Sequence, residues 1–400
     1  MGTVFNDATI IDGHGGRPIE KAFIRVEDDH IVAMGSSKDL KTVPDDRVID
    51  CNGKYIIPGL IDCHIHMDLH GFGDTFQENL VEDKLRTLRA AQEMTATLKA
   101  GFTTVRNVGS VNHIDFAVKA GIEAGYFPGP RILTAGRIIS MTCSGTEYFN
   151  GMYRVADGVD ACRQAAREQL KAGANFLKLM ATGAVMNPGG VPGAPQLNVD
   201  EIRAVVEEGL KLGRHTAAHA HAAQGILNAV AAGVRTIEHG TMADDAAIDA
   251  MADAGAYLVP TLALHDQFEA HAENVPAFML EKSGQMQQEY VGTVKKALKA
   301  GVKIAMGTDA GTNYNHHGNN AAEIVYLVEK GILSPLAAIT AATKSAAQAI
   351  MLDDELGTLE TGKLADMVVL NADPIENIDV LVDPGMISAV FKGGRRVGTN

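Results

Sequence analysis

Two histidines, His64 and His66, are separated by one residue at the end of a hydrophobic run that begins at Ile56. In a β-strand, residues i and i+2 point to the same side, so both imidazoles would face one spot. The neutral imidazole is the commonest protein ligand of transition metals. Taken alone, the pair fits two hydrogen-bonded core histidines equally well. It indicates a metal site only if further ligand residues follow along the chain.

Further residues of this kind do follow, each inside or at the end of an apolar run. Lys178 lies inside the run at 176–180, His219 and His239 each end a run, and Asp309 follows another. A lysine inside a buried strand is costly unless its charge is paired or chemically altered. Singly, Lys178 could face solvent and either histidine could be a satisfied core residue. Their joint occurrence in this order indicates one metal-binding site.

The elements that must position these residues alternate between strand and helix. Eight apolar runs are typical of buried parallel strands, and segments rich in Ala and Glu with helical spacing lie between them. The eight runs are residues 59–66, 103–108, 131–135, 176–181, 216–220, 236–239, 257–262 and 303–308. Eight βα units predict an α/β fold, a (β/α)8 or TIM barrel, whose active site gathers at the carboxyl ends of the strands.

Both ends of the chain lack this alternation and show short strands separated by turn residues. Residues 1–57 read this way, and so do residues 353–400, which follow a predicted helix at 335–351. We therefore predict that the two ends pair into one small β-sandwich that flanks the barrel. The barrel domain would then span residues 58–352.

Composition limits the class of function. The chain has 35 Lys and Arg against 49 Asp and Glu and a formal net charge of −14, which argues against nucleic acid or an anionic membrane as a partner. No run approaches about 18 apolar residues and the N-terminus has no signal-peptide pattern, so we expect a cytoplasmic protein. The four cysteines show no CxxC spacing, which argues against a zinc ribbon or a disulfide framework.

The order of the candidate ligands, with its flanking phrases, resembles the amidohydrolase superfamily. The phrases are PGLID at 58–62, IEHG at 237–240 and GTD at 307–309. Three further phrases are similar to the imidazolonepropionase-related group, which contains Xaa-Pro and Xaa-Arg dipeptidases and an ochratoxin-cleaving amidase. These phrases are GFTTVRNVG at 101–109, GPR at 129–131 and DAG at 309–311.

This resemblance implies two bound divalent metal ions, usually zinc, bridged by a carboxylated lysine. The implied ligands are His64, His66 and Asp309 for the more buried metal, His219 and His239 for the more exposed one, and Lys178 as the carboxylated bridge. It also implies hydrolysis of a linear amide in a dipeptide or an N-acyl amino acid by a hydroxide that bridges the metals. Asp309 and His239 would be the catalytic residues, with Asp309 passing a proton to the leaving amine.

His219 and His221 compete for the ligand position on the fifth barrel strand. We choose His219, because in the similar proteins the strand-5 and strand-6 ligands stand twenty residues apart, as His219 and His239 do here. His221 would then contact the substrate, unless it is a solvated histidine or one that only supports the ligands.

The free carboxylate of such a substrate needs a cationic or hydrogen-bonding partner at the mouth of the barrel. The candidates are His221, Arg106 and the pair His316 and His317, and we expect loops 182–198 and 311–320 to shape specificity.

One departure from the related peptidases matters. After strand 3 they carry Gly-Gly-His, whereas residues 141–146 of this chain read MTCSGT. Dipeptide specificity is therefore not simply inherited.

Other classes of function stay open beside the linear-amide hydrolase. One is a hydrolase of cyclic amides, or of another small amide, carbamate or toxin. Deaminases of the superfamily usually hold one metal without the strand-4 lysine, so Lys178 argues against that branch. A non-catalytic scaffold would have lost ligands, whereas all six positions are filled here. We also expect a homo-oligomer.

Overall fold

The computed structural model describes residues 2–398, apart from the side chains at positions 75, 287 and 288. Five strands come first: β1 (Thr3–Ile10), β2 (Ile19–Glu27), β3 (His30–Ser36), β4 (Arg47–Asp50) and β5 (Tyr55–Pro58). Strand β1 pairs antiparallel with β2 and parallel with both β4 and β5.

The middle of the chain alternates parallel strands with helices. Its elements are β6 (Leu60–Ile65), α1 (Asp83–Lys99), β7 (Phe102–Asn107), α2 (Ile114–Glu123), β8 (Arg131–Thr134), β9 (Ile138–Ser140), β10 (Tyr153–Val155), α3 (Val159–Ala172), β11 (Leu177–Met180), α4 (Val199–Leu210), β12 (Thr216–Ala222), α5 (Ala223–Ala231), β13 (Thr236–Met242), α6 (Asp245–Ala254), β14 (Tyr257–Val259), α7 (Ala263–Ala270), α8 (Ala277–Lys299) and β15 (Lys303–Ile304).

The last part of the chain returns to strands after three short helices. These elements are α9 (Ala322–Glu329), α10 (Pro335–Ala341), α11 (Lys344–Ala349), β16 (Met367–Leu370), β17 (Ile387–Lys392) and β18 (Arg395–Arg396). Among residues 2–398, none of the helices combines the length and the apolar character that crossing a bilayer requires. The cytoplasmic location and the homo-oligomeric state stay predictions.

Backbone hydrogen bonds join the parallel strands into a ring. Strands β6, β7 and β8 form one sheet, and β11 to β15 lie in another. A bond from Asn175 N to the end of β8 links the two sheets on one side. On the other side Cys63 N donates to Met306 O over 3.0 Å, and Asp309 N donates to His64 O over 2.7 Å. The eight strands therefore adjoin in the order expected of a (β/α)8 barrel.

The strands are buried as the apolar runs predict. All residues of β6, β7 and β11 are buried, as is usual when helices cover a parallel sheet.

The helices begin and end at recognisable residues. Asn198 and Glu201 form a reciprocal capping box at the start of α4, and Gly173 ends α3 in a left-handed conformation (φ 112°).

The structure contains all eight predicted barrel strands and differs from the prediction in three details. The eighth strand ends at Ile304 and not at residue 308. Two unpredicted strands, β9 and β10, pair in parallel beside β11. The predicted helix at 335–351 is two helices, since Thr343 (φ −132°, ψ −92°) leaves the helical region between α10 and α11.

Strands from the two ends of the chain share one eight-stranded sheet. Strand β16 pairs antiparallel with β5, which brings Met367 opposite Pro58. Phe5 and Phe391, from opposite ends, meet edge to face with ring centroids 4.7 Å apart. The predicted pairing between the ends is thus present. A separate β-sandwich domain bounded at residues 57 and 353 stays a prediction.

Candidate metal centre

The predicted ligands gather in one cavity at the carboxyl ends of the barrel strands. The lining residues from the predicted ligand set are His64 and His66 at the end of β6, Lys178 on β11, His219 on β12, His239 on β13 and Asp309 beyond β15. The six side chains that the sequence scatters over 246 positions, from 64 to 309 inclusive, therefore line the same space.

Asp309 lies at the centre of this group. Its Oδ1 atom is 3.3 Å from His64 Nε2 and 3.6 Å from His66 Nε2. Ligand atoms of His64, His239 and Asp309 all lie within 4.8 Å of one another. The rings of His219 and His239 are 4.6 Å apart between centroids. Nitrogen and carboxylate oxygen donors thus converge at distances that one or two ions can span.

In three of these histidines the Nδ1 atom contacts a polar neighbour, on the opposite side of the ring from Nε2. The contacts are His64 Nδ1 to Glu238 Oε2 at 2.7 Å, His66 Nδ1 to Gly109 O at 3.0 Å, and His239 Nδ1 to Thr261 Oγ1 at 2.8 Å. Metal-ligating histidines are usually held in this way, because the contact fixes the ring and its tautomer. The Nε2 atoms are therefore available to an ion.

Two buried atoms in the candidate set make no hydrogen bond of good geometry: His219 Nε2, and Asp309 Oδ1, whose contacts are the ion-pair distances to His64 and His66. Leaving a buried polar group unpaired costs about 1–3 kcal/mol, and such a group calls for a bound ion or water. Imidazole nitrogens with a carboxylate are a donor set that suits zinc. The residues present therefore fit a divalent metal.

Burial keeps the histidines in the form that binds a metal. It lowers the pKa of His66 to about 4 and holds the pKa values of His219 and His239 well below their ordinary range. Burial likewise lowers the pKa of Lys178 to about 8. Burial alone would raise the pKa of Asp309, but His64, His66 and Lys178 together outweigh it, so the net shift is downward. At neutral pH these histidines are therefore neutral and Asp309 is ionised.

Three residues of the site have left-handed backbones although none is glycine. The φ angles are 72° at His239, 62° at Asp309 and 54° at Thr261. Such conformations cost on the order of 1–3 kcal/mol each and cluster at functional sites. Thr261 is a clear outlier because its side chain is β-branched. The fold thus holds the candidate ligands His239 and Asp309, and the hydroxyl that contacts His239, in a strained arrangement.

Arg106 does not line the cavity, so its contact with substrate stays a prediction that the structure does not support. Its side chain is fully buried inside the barrel, where NH2 donates to Glu238 Oε1 over 2.7 Å and Nε donates to Cys63 O over 2.6 Å. Burial would raise the pKa of Glu238, but the Arg106 charge and the hydrogen bond to His64 hold it well below its ordinary value. Arg106 therefore neutralises a carboxylate that orients a candidate ligand.

The loop after the eighth strand also departs from its prediction, because neither His316 nor His317 lines the cavity. The loop folds back on the first strand, where His317 Nε2 donates to His66 O over 3.1 Å and Asn320 donates to Asp62 over 2.7 Å. His316 is exposed. Contact of this pair with substrate therefore stays a prediction, which the cavity lining does not support.

His221 is the one predicted substrate contact that does line the cavity. Its Nδ1 atom lies 2.8 Å from Thr241 Oγ1, and its ring centroid is 4.5 Å from that of His219. Burial lowers the pKa of His221 to about 3. It can therefore offer a substrate a hydrogen bond but not a positive charge.

The sequence reasoning missed roles for Glu238, Thr261 and His265. Glu238 is a charge inside a buried strand, so the burial argument applied to Lys178 would have identified it. His265, on α7, lines the cavity and its Nδ1 atom lies 3.0 Å from Ser283 Oγ. No local pattern marks it, because its position depends on how α7 packs over the barrel.

Comparisons with known proteins agree with this geometry. The sequence profile of the Amidohydrolase family matches residues 55–397. The ochratoxinase of Aspergillus niger is 30% identical over 429 residues, covering 98% of this chain and 86% of its own. The imidazolonepropionase of Symbiobacterium thermophilum is 27% identical, covering 99% and 92%. A solved Xaa-Pro dipeptidase with methionine in its active site is 32% identical with a TM-score of 0.91, covering 99% of both chains. The chain belongs to the amidohydrolase family.

Proposed function

We propose that this chain is a binuclear metal-dependent hydrolase that cleaves a linear amide bond in a dipeptide or an N-acyl amino acid. The observation that carries the proposal is the convergence of four histidines, one aspartate and one lysine on a single buried cavity. The substrate class is supported by the similarity to a Xaa-Pro dipeptidase and to an ochratoxinase.

In this proposal His64, His66 and Asp309 hold one metal, and His219 and His239 hold the other. The short distances from Asp309 Oδ1 to the first two histidines support the first set. The buried and unpartnered Nε2 atom of His219 is consistent with its place in the second set.

Lys178 would bridge the two metals as a carbamate. This group forms when the neutral amine adds to carbon dioxide and releases a proton, which turns a buried cation into an anionic ligand. The register supports the position, because Lys178 pairs with Ala217 on β12, two residues before His219. The burial of Lys178 supports it as well, since the side chain is 2% exposed and an ammonium there would be costly.

When bound, a divalent metal pair would lower the pKa of a water molecule and polarise the scissile carbonyl. The chain itself supplies the proton transfer. Asp309 is ionised and faces the cavity, so it is suited to accept the proton of the attacking water and to deliver it to the leaving nitrogen. His239, held by Thr261, would stay fixed beside Asp309, and His221 would donate a hydrogen bond to the substrate.

Metal counting and a substrate screen test this proposal. Protein produced with zinc and bicarbonate should contain about two metals per chain, as two-metal hydrolases do. The zinc-loaded protein should hydrolyse members of a panel of dipeptides and N-acyl amino acids. Asp309→Asn is the matched control, because it keeps the side-chain size but removes the base. A single metal at full activity with Lys178 uncarboxylated would rule out the bridge.

The second candidate function is hydrolysis of a cyclic amide, or of another small amide, carbamate or toxin. The similarity to an imidazolonepropionase favours the cyclic substrate. The same screen separates the two candidates if cyclic imides and imidazolones are included. Turnover of these compounds, with every linear amide left intact, would replace the first proposal with the second.

A further inference from the structure

Two kinds of residue line the cavity. One is the set of candidate metal ligands, and the other is apolar and comes from three segments: the loop after β9, the loop after β11 and helix α7. We call the apolar set the apolar wall, and it consists of Phe149, Met152, Val185, Met186, Leu264 and Phe268. The candidate ligands can hold the reacting amide, which leaves the apolar wall for a neighbouring group of the substrate.

Buried residues of the core pack against the apolar wall, so the wall is formed before substrate binds. Val185, Leu264 and Phe268 belong to a buried hydrophobic cluster that also contains Met279 and Met286. Phe149 and Met152 belong to a separate core cluster beneath the first strands.

Polar contacts outside the cavity fix one of the segments that carry the wall. Lys282 Nζ donates to Asn187 O over 2.8 Å, and Tyr153 Oη donates to Asn187 Oδ1 over 3.3 Å. These bonds tie the loop after β11 to α8 and to β10. The wall therefore has a defined shape before substrate arrives.

Among the described side chains that line the cavity there is no arginine and one lysine, Lys178, which belongs to the ligand set. The carboxylate among them is Asp309, also a candidate ligand. The nearby Lys282 is engaged with Asn187 and lies over the Phe278 ring at 5.2 Å. A charged substrate group against the wall would therefore lose its hydration without gaining a counter-ion, which is strongly unfavourable.

We infer that the cavity selects amides that carry a large, uncharged, apolar side chain or acyl group next to the scissile bond, and that it discriminates against charged groups there. This inference rests on the proposed amide hydrolysis and adds the chemical class of the group. Met152 and Met186 are flexible and polarisable, so the wall accepts both aliphatic and aromatic groups. Selectivity for charge is therefore sharper than selectivity for shape.

Matched substrates test the inference on the wild-type, zinc-loaded protein. Norleucyl-alanine and lysyl-alanine have side chains of equal carbon length that differ by one ammonium. Alanyl-norleucine and alanyl-lysine repeat the comparison on the other side of the bond. On at least one side, kcat/KM for norleucine should exceed that for lysine by about 100-fold, or about 2.7 kcal/mol.

A variant of the wall gives a second measurement. Leu264→Glu puts a carboxylate in the wall and should shift the norleucine-to-lysine ratio by about tenfold or more toward lysine. Leu88→Glu is the matched control, because Leu88 is 69% exposed on α1 and should leave the ratio unchanged. If Leu264→Glu fails to fold by circular dichroism, the wild-type comparison still decides.

The outcomes separate the inference from the proposed function. Equal kcat/KM values for norleucine and lysine on both sides would overturn the inference and leave amide hydrolysis intact. A preference for the lysine substrates would overturn it as well. No hydrolysis of any linear amide by the protein with two zinc ions bound would overturn the proposed function, and the inference with it.

Discussion

Glu238 Oε2 lies 2.7 Å from His64 Nδ1 inside the barrel, and Oε1 of the same carboxylate accepts a 2.7 Å hydrogen bond from Arg106. The three side chains are essentially sealed from solvent, with exposures of 0% for Arg106 and Glu238 and 1% for His64. The carboxylate fixes the tautomer in which His64 Nε2 keeps its lone pair. A buried ion pair thus orients the first candidate ligand of the chain.

Glu238→Gln should weaken metal retention by about 10–100-fold, because the amide is a poorer acceptor for His64 than the carboxylate. Competition with a zinc chelator measures the affinity directly, without relying on activity. Glu208→Gln is the matched control. It also removes a buried carboxylate paired with arginines, Arg163 and Arg167, but on α4, away from the site. Equal zinc affinity in Glu238→Gln and wild type would contradict the positioning role.

Arg106→Met should destabilise the protein by about 3–5 kcal/mol, because it leaves Glu238 buried without its counter-ion. Urea unfolding of the metal-free protein measures the change. Arg163→Met breaks partly exposed ion pairs with Glu207 and Glu208 and should cost about 1 kcal/mol or less, because Arg167 and Lys211 still neutralise Glu208. A stable Arg106→Met protein with a raised KM would instead restore the substrate-binding role that the structure argues against.

Lys178→Ala should lose one metal more readily than the other, because the proposed bridge is the ligand that contacts both. Added formate or acetate should restore part of the activity by replacing the carbamate oxygens. Lys119→Ala is the control, since Lys119 is a partly buried lysine that donates to Asn175 Oδ1 outside the candidate metal centre. If both metals bind Lys178→Ala with unchanged affinity, the bridge is excluded.

His221→Ala should raise KM for substrates with a free carboxylate by about tenfold, or about 1.4 kcal/mol, which is the size of one hydrogen bond. Metal content should stay the same, and carboxamide analogues should be affected less. His113→Ala is the matched control, because the His113 ring contacts Gln169 Oε1 over 2.8 Å and does not line the cavity. Loss of a metal in His221→Ala would show that His221, and not His219, is the ligand on β12.

Sequence periodicity predicted the barrel strands and the order of the candidate ligands because both depend on local patterns. The i, i+2 spacing of His64 and His66 is enough to put both rings on one side, as the structure has them. The same pattern could not tell whether Arg106 points into the barrel or toward its mouth. That choice depends on Glu238, a residue 132 positions away.

The loops were harder to predict than the strands, since their paths are set by contacts with distant elements. Asn320 ties the loop after the eighth strand to Asp62, which turns His317 away from the cavity. Helix α7 and the apolar wall depend on packing against α8, which no local signal in residues 263–270 reveals. Loop 182–198 does contribute to the cavity, through Val185 and Met186.

The seam at which the barrel closes runs through the candidate metal centre, where Asp309 N donates to the backbone of His64. During synthesis the site therefore cannot be assembled until the last barrel strand has emerged, so metal capture should be a late folding event. Once bound, an ion ligated by residues on both sides of this seam would oppose local opening of the barrel. At a free metal concentration 100 times Kd, the free energy required for opening should rise by about 2.7 kcal/mol. Amide hydrogen exchange at Cys63 and Asp309 would record that slowing.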